Sequence, residues 1–456
     1  MRIGTRSDPG DPFDVVIVGA GPGGEACAQR LASEGLRVAV IEQELVGGEC
    51  AYWGCVPSKT LLRAPELRLE ARRVQGLTEP ELSWPEARRY RDYMIQGLDD
   101  SGKSEILEEQ GITIVRGAGH FVAPGVVAVG DREIETERLV VATGSSAAIP
   151  PVDGLDELSY WTNREAYTFD EPPRDVIVLG GGPVGLETAQ MLHRYGCGVT
   201  LVEAGARLLA DEEPVAGDLI ARQFSEEGID LRLGVQAVSA TACEGRQGLT
   251  LEGGNRLEAE RIIVATGRAP RVEGIGLATL GIEPGDTGAI EVDSRCRAGE
   301  DVWAVGDVTG VAPFTHVAQY QGRIAADDIL GRPAHADYGA IPRVVFTDPE
   351  VAAVGLTTAK AQDQGLDVVE ASTELGVVAR SEMFGVGVGG TVTLVVDRDR
   401  KIVLGASVVG PLASEWIHIA VMAVKLETPL SVLRDIPFQF PTFSEAFGYA
   451  LRDLPF

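Results

Sequence analysis

The chain of 456 residues has little of what marks a membrane protein, a nucleic-acid binder or a disulfide-stapled scaffold. No uninterrupted apolar run reaches the ~18 residues that a membrane-spanning helix requires. Residues 1–12 are polar, rich in Gly, Pro and Asp, and lack the apolar core of a signal peptide, so a disordered leader on a cytoplasmic protein is expected. Positive charge is scarce: 40 Lys and Arg stand against 68 Asp and Glu, and the net charge of -28 argues against nucleic acid or an anionic membrane as partner. Six cysteines in so long a chain make a disulfide framework improbable, and five histidines, none near a cysteine pair, leave no basis for a zinc site. A chain of this length predicts about three domains.

Against that background, glycine-rich turns stand out. Asp14 to Gly19 is a short apolar run of buried-strand type, followed by Gly19-Ala20-Gly21-Pro22-Gly23-Gly24, a helical pattern Glu25 to Gly35, and a strand Leu36 to Ile41 ending in Glu42. Strand, glycine turn, helix, strand and terminal acid in that order carry a physical reading that a lone G-x-G-x-x-G does not. Glycines let the backbone approach a pyrophosphate at a helix N-terminus, and the acid accepts hydrogen bonds from a ribose diol. The unit recurs: Asp175 to Leu179, then Gly180-Gly181-Gly182-Pro183-Val184-Gly185, a helix Leu186 to Tyr195, and Val199 to Val202 ending in Glu203. Glycine and acid are equally far apart in both copies, which predicts two Rossmann-type domains and two different dinucleotides.

Between Gly47-Gly48 and a predicted helix Val56 to Leu69 lie Cys50 and Cys55, with Pro57 in the first helical turn. A thiolate there faces the positive end of the helix dipole, which lowers a cysteine pKa and suits redox exchange. Taken alone, the pair is equally compatible with two small apolar residues. Further along, Leu139 to Gly144 and Arg261 to Gly267 are apolar strands that each end in Ala-Thr-Gly, readable as architecture alone. Asp301 to Asp307 is another strand, ending in a carboxylate that either holds a ligand hydroxyl or caps a helix beginning near Ala312. From about Ile341, strand-like runs (Val344 to Phe346, Val392 to Val396, Ile402 to Val409) alternate with helical ones (Thr357 to Gln364, Leu412 to Leu426), as in a separate α+β unit.

Both fingerprints, the Cys50/Cys55 stretch with Pro57-Ser58-Lys59, both Ala-Thr-Gly turns, Val305-Gly306-Asp307 and Phe346-Thr347-Asp348-Pro349-Glu350 occur in one order. In that order they resemble the class I flavin-dependent pyridine nucleotide–disulfide oxidoreductases, whose members include dihydrolipoamide dehydrogenase, glutathione reductase and mercuric reductase. The resemblance covers nearly the whole chain from Phe13. It implies an α/β fold with an FAD-binding domain over 13–150, an NAD(P)-binding domain over 151–270, a return to the first over 271–340, and an α+β dimerisation domain over 341–456. It implies FAD at Gly19, Gly21, Gly24 and Glu42, with Asp307 near the ribityl chain, and a nicotinamide dinucleotide at Gly180, Gly182, Gly185 and Glu203. Gly48, Thr143, Gly144, Gly267 and Gly306 count among the cofactor-contacting positions. A terminal acid such as Glu203 favours NADH, and Arg207 nearby leaves NADPH open. The resemblance further pairs Lys59 with Glu187 beside the flavin, places Cys55 inward and Cys50 outward, and implies a homodimer.

At the C-terminal end the pattern breaks. Phe438-Gln439-Phe440-Pro441-Thr442-Phe443-Ser444-Glu445 matches the family's His-Pro-Thr segment, but Phe440 stands where the histidine belongs, and Glu445 lacks the imidazole it would orient. A general acid or base is typically worth ~10²–10⁴ in rate. Tyr52, Trp53, Phe438 and Phe440 predict an aromatic mouth or, alternatively, core and interface packing. The tail, Leu451 to Phe456, has no cysteine pair, which argues against mercuric reductase in particular. Three functions remain: NADH-driven reduction of a small-molecule or small-protein acceptor through FAD and a Cys50–Cys55 disulfide; an NADH:quinone reductase of diaphorase type that bypasses the thiols; and a redox-sensing binding protein.

Overall fold

The computed structural model describes residues 12–456 and divides into two compact units. The leader expected over 1–12 lies, apart from Pro12, outside the described residues.

The first unit comprises residues 12–57, 92–147 and 268–337. Its eight-stranded sheet runs Arg297–Gly299, Val302–Ala304, Arg132–Val141, Phe13–Val18, Val38–Glu42, Ile112–Arg116, parallel along this path except at the first edge, with the antiparallel strands Val126–Val129 and Gly119–Ala123 branching from Arg132–Val141. Val15, Val16 and Ile17 are all fully buried, as in a parallel strand covered on both faces. On one face lie helices Pro22–Ser33 and Thr315–Ile329; on the other lie Phe121, Val127, Leu277 and Ile290. Phe13–Val18 has Val38–Glu42 on one side and Arg132–Val141 on the other, so a topological switch point opens at its C-terminal end, where Gly19 begins.

The second unit comprises residues 58–91, 148–267 and 338–456. It repeats the device: a parallel sheet Asp230–Leu233, Gly198–Glu203, Asp175–Leu179, Arg261–Val264, with Asp175–Leu179 at the switch point and helix Pro183–Arg194 following it. A three-stranded antiparallel sheet, Ala237–Cys243, Arg246–Leu251, Arg256–Ala259, accompanies it. The C-terminal part is a five-stranded antiparallel sheet, Pro342–Val345, Glu350–Gly355, Ile402–Gly410, Thr391–Asp397, Val368–Glu374, with its own core and helices. The fold class is thus the expected one: two Rossmann-like domains and a distinct C-terminal α+β domain.

Boundaries differ for local reasons. Both fingerprint helices begin at the proline, Pro22 and Pro183, three residues earlier than expected, because proline at the first helical position costs no hydrogen bond. The helix expected over Val56 to Leu69 runs from Cys55 to Arg73 with Pro65 inside it. The strand expected over 301–307 is only Val302–Ala304, and Asp307 opens a short 3₁₀ turn, Asp307–Thr309. The helix expected over Leu412 to Leu426 is split into Ala413–Trp416 and His418–Lys425. Among the described residues no helix is long and apolar enough to cross a membrane.

Candidate functional site

The two glycine turns are built alike, and each glycine answers to a different constraint. Gly19 and Gly180 have φ of +107° and +111°, and a Cβ on either would strike a main-chain carbonyl, Ala142 O or Ala265 O. Gly24 and Gly185 lie so close to Gly19 O and Gly180 O that a methyl cannot enter. The middle glycines are different. Gly21 and Gly182 have φ of -75° and -86°, and nothing stands within 4 Å of an added Cβ. No neighbour in the protein requires glycine there, whereas a pyrophosphate resting on the helix N-terminus does. The residues present therefore fit a dinucleotide at each turn.

The terminal acids do more than the sequence indicates. Glu42 accepts from Ala20 N (2.8 Å) and Glu44 N (2.7 Å). Glu203 accepts from Gly181 N (2.6 Å) and Gly205 N (2.5 Å). Each carboxylate therefore braces its own glycine turn with both of its oxygens. Thr143 Oγ1 donates to Arg271 O (2.7 Å), just before Gly144, and Thr266 Oγ1 donates to Ala148 O (2.8 Å), just before Gly267. Asp307 does not cap the next helix, whose N-cap is Phe314; it accepts from Ser145 Oγ (2.6 Å), which in turn accepts from Arg268 Nε (3.0 Å). The amide of Gly306 donates to the buried Gln321 Oε1 (2.7 Å). Ser145, Arg268 and Gln321 carry no sequence signal, since their partners lie far away in the chain.

Gly48 brings the cysteines to the first turn: a Cβ there would press on Gly21 Cα. Cys50 lies in the short helix Gly48–Tyr52, and Cys55 is the first residue of the long helix Cys55–Arg73. Their thiols are hydrogen bonded to each other, and Cys55 Sγ lies 3.5 Å from Thr315 Oγ1. The hydrogen bond to Cys55, then burial, then repulsion from a Cys55 thiolate push the Cys50 thiol well above its ordinary value. Cys50 is half-buried and Cys55 exposed in the isolated chain.

In the second unit, Lys59 Nζ donates to Glu187 Oε2 (2.5 Å) and lies 4.9 Å from the centre of the Phe346 ring. Glu187 is buried and its other oxygen accepts from Phe346 N (2.9 Å). The four aromatics differ in burial. Tyr52 is buried, donates to Val46 O (3.0 Å), and is a core anchor. Trp53 is half-buried beside it. Phe438 packs against Gly448, and Phe440 alone is open, 62% exposed. Glu445 begins the helix Glu445–Arg452 and accepts from Thr442 N (3.1 Å).

Two nucleotide crevices and a thiol pair at a helix head define a dinucleotide-driven thiol oxidoreductase. Residues 13–322 match the model of the pyridine nucleotide-disulphide oxidoreductase family and residues 341–451 match its dimerisation domain, so the chain belongs to this family. It is 33% identical to the dihydrolipoyl dehydrogenase of Halobacterium salinarum over 95% of this chain and 94% of that one. It is 32% identical to a mercuric reductase of Acidithiobacillus ferrooxidans, over 98% of this chain and 84% of the relative. Among solved structures it resembles the HOCl-induced flavoprotein disulfide reductase RclA of Escherichia coli, with TM-score 0.86 and 27% identity, covering 97% of this chain and all of that one. The chain is an FAD- and NAD(P)H-dependent oxidoreductase with a redox centre at Cys50–Cys55.

Proposed function

We propose that the enzyme uses NADH, through FAD, to reduce the Cys50–Cys55 disulfide, and that the resulting dithiol reduces a sulfur acceptor whose leaving thiolate is a weak base. The observation that carries this is the thiol pair in hydrogen-bond contact, with Cys55 at the head of a 19-residue helix. FAD, when bound, supplies the two-electron step between the nicotinamide and the thiols. Gly19, Gly21, Gly24, Glu42, Gly48, Thr143, Gly144, Gly306 and Asp307 hold it; Gly180, Gly182, Gly185, Glu203 and Gly267 hold the nicotinamide dinucleotide. Lys59, fixed by Glu187, would supply the cation that stabilises negative charge on the reduced flavin, as the family resemblance implies.

Cys50, as its proton passes to the hydrogen-bonded Cys55, attacks one sulfur of the acceptor's S–S bond, forming a mixed disulfide and expelling one thiolate. Cys55 then attacks the Cys50 sulfur, re-forming the Cys50–Cys55 disulfide and expelling the second. The dithiol loses two electrons, and its two protons go to the product thiols. In a homodimer of the family kind, the partner's Phe440 offers no proton to either leaving group, so an acceptor with acidic thiols, a small molecule or small protein, suits this site. A terminal carboxylate, Glu203, meets the free 2′-hydroxyl of NADH and repels a 2′-phosphate. The excess of negative charge suits a cytoplasmic enzyme without nucleic-acid or membrane partners.

Anaerobic titration with NADH tests the proposal. Four electrons per flavin and a long-wavelength thiolate-to-flavin charge-transfer band are expected; uptake of two electrons without the band overturns it. The exposed Phe440 ring favours a second reading, direct reduction of a quinone by stacking rather than proton transfer. Cys50→Ser separates the two: loss of turnover supports the thiol route, and undiminished quinone reduction supports the bypass.

A further inference from the structure

Helix Pro183–Arg194 presents Glu187, Gln190 and Arg194 on one face, three and four residues apart. All three engage the same short segment, residues 346–348, which connects two strands of the C-terminal sheet. Glu187 Oε1 accepts from Phe346 N (2.9 Å). Gln190 Oε1 accepts from Asp348 N (2.8 Å), and Gln190 Nε2 donates to Asp348 O (2.9 Å) and to Glu227 Oε1 (3.0 Å). Arg194 reaches the Asp348 carboxylate (3.2 Å), whose other oxygen accepts from Arg73 (3.1 Å). Gln190 is fully buried and uses its carbonyl and both of its N–H groups, pairing with the peptide groups of Asp348 as a neighbouring strand would.

Lys59 is held less firmly by packing. A cavity of about 170 Å³ is lined by Lys59, Gln190, Phe346 and Asp348 among others, so the ammonium has room to move. What fixes it is Glu187 on one side and the face of the Phe346 ring on the other, and Phe346 sits two residues before Asp348. We infer that Gln190 is a positioning residue: by pairing with both main-chain groups of Asp348 it sets the height of the 346–348 segment against Glu187, and so sets where the Lys59 ammonium stands. The inference deepens the proposed function, since it rests on the reading that Lys59 serves the flavin.

The chain has only five lysines, so the holoprotein labelled with ε-¹³C-lysine gives a readable spectrum in which the Lys59 signal is assigned by its loss in Lys59→Met. Gln190→Met removes both bonds to Asp348 without adding a charge beside Glu227. Arg73→Met removes an ion pair from the same aspartate without touching the segment's main chain. The Lys59 signal is expected to move in Gln190→Met and to stay in Arg73→Met, although both variants lower the thermal midpoint. An unmoved Lys59 signal in Gln190→Met, or an equal movement in Arg73→Met, overturns the inference, because Gln190 would then act only through general stability. The flavin midpoint potential of the same proteins keeps the two claims apart. A moved Lys59 signal with an unchanged potential upholds the positioning role and overturns the reading of Lys59 as the flavin's cation.

Discussion

Gly182→Ala separates what the glycine turn does for the fold from what it does for the ligand. Alanine is comfortable at φ -86° and ψ -178°, and its methyl meets nothing within 4 Å. Two small effects oppose each other: the unfolded chain loses about 0.4–1 kcal/mol of conformational freedom, and a helix N-cap prefers Gly to Ala by about the same amount. The apoprotein's stability should therefore change by no more than about 0.5 kcal/mol. The methyl stands, however, where a pyrophosphate must approach the backbone N–H groups. Losing one such bond to a charged group costs about 1.5–3 kcal/mol, or roughly 10–100-fold in NADH affinity. Gly185→Ala should behave in the opposite way. Its methyl falls on Gly180 O, a main-chain atom that cannot rotate aside, which costs about 1–3 kcal/mol or more of stability before any ligand is added. Thermal melts of both variants without NADH, followed by NADH titration, measure the two effects. Native-like NADH affinity in a stable Gly182→Ala variant would refute the assignment of this turn as the pyrophosphate cradle.

The remaining predictions concern the acid, the acceptor end and pH. Glu203→Ala removes the acceptor of two turn amides as well as the ribose contact, so kcat/KM for NADH should fall roughly tenfold or more, while that for NADPH should fall less; paired steady-state assays check the ratio. Phe440→His should raise the rate with lipoamide-type disulfides by up to about 10²–10⁴, measured against the native protein in the same acceptor screen. Burial, then the charges of Glu260 and Asp175, push the Cys197 thiol from about 9 up to about 12. Above pH 9 the unfolded thiol ionises while the folded one keeps its proton, so this residue's contribution to stability is full below pH 9 and is lost as pH rises toward 12, by up to about 1.4 kcal/mol per pH unit. Urea unfolding of native protein and Cys197→Ala at pH 8 and pH 10.5 should show the native protein's stability falling more steeply, and parallel falls would contradict the burial argument.

How much was legible depended on whether a residue's role is local. Gly19, Gly24, Gly180 and Gly185 are required by the turn itself, and the acids at 42 and 203 close units of fixed length, so both crevices are written in short windows of sequence. Cys50 and Cys55 were visible for the same reason, with a proline and a glycine turn nearby. The second role of Glu42 and Glu203 was not visible, because a carboxylate that accepts from main-chain amides leaves no mark in the identity of the residues that donate. Gln190 was missed altogether, and Asp348 was noted only as part of a run: they are 158 positions apart, and the bonds between them use the main chain of Asp348, so neither residue type announces the contact. Whether Tyr52 lines an open mouth or packs in the core was left open by the sequence, because alternation between core and surface cannot be read in a five-residue helix.

The segment around Phe440 shows how such a change can occur without disturbing the fold. Thr442 Oγ1 donates to Gln439 O (2.7 Å), Glu445 accepts from Thr442 N (3.1 Å), and Gln439 Nε2 donates to Phe440 O (2.6 Å). All three bonds bypass the side chain at 440, which projects outward and is 62% exposed. The turn would therefore stand in the same place with histidine or phenylalanine, and the difference between them is chemical rather than structural. A histidine there would exchange a proton with sulfur; a phenylalanine offers a flat apolar face and no proton. The two glycine turns and the Lys59–Glu187 pair, by contrast, are each fixed by several bonds that a substitution would break. Change is thus physically cheap at residue 440, whose side chain takes part in none of the bonds that hold its turn, and costly at the glycine turns, where one added methyl meets main chain.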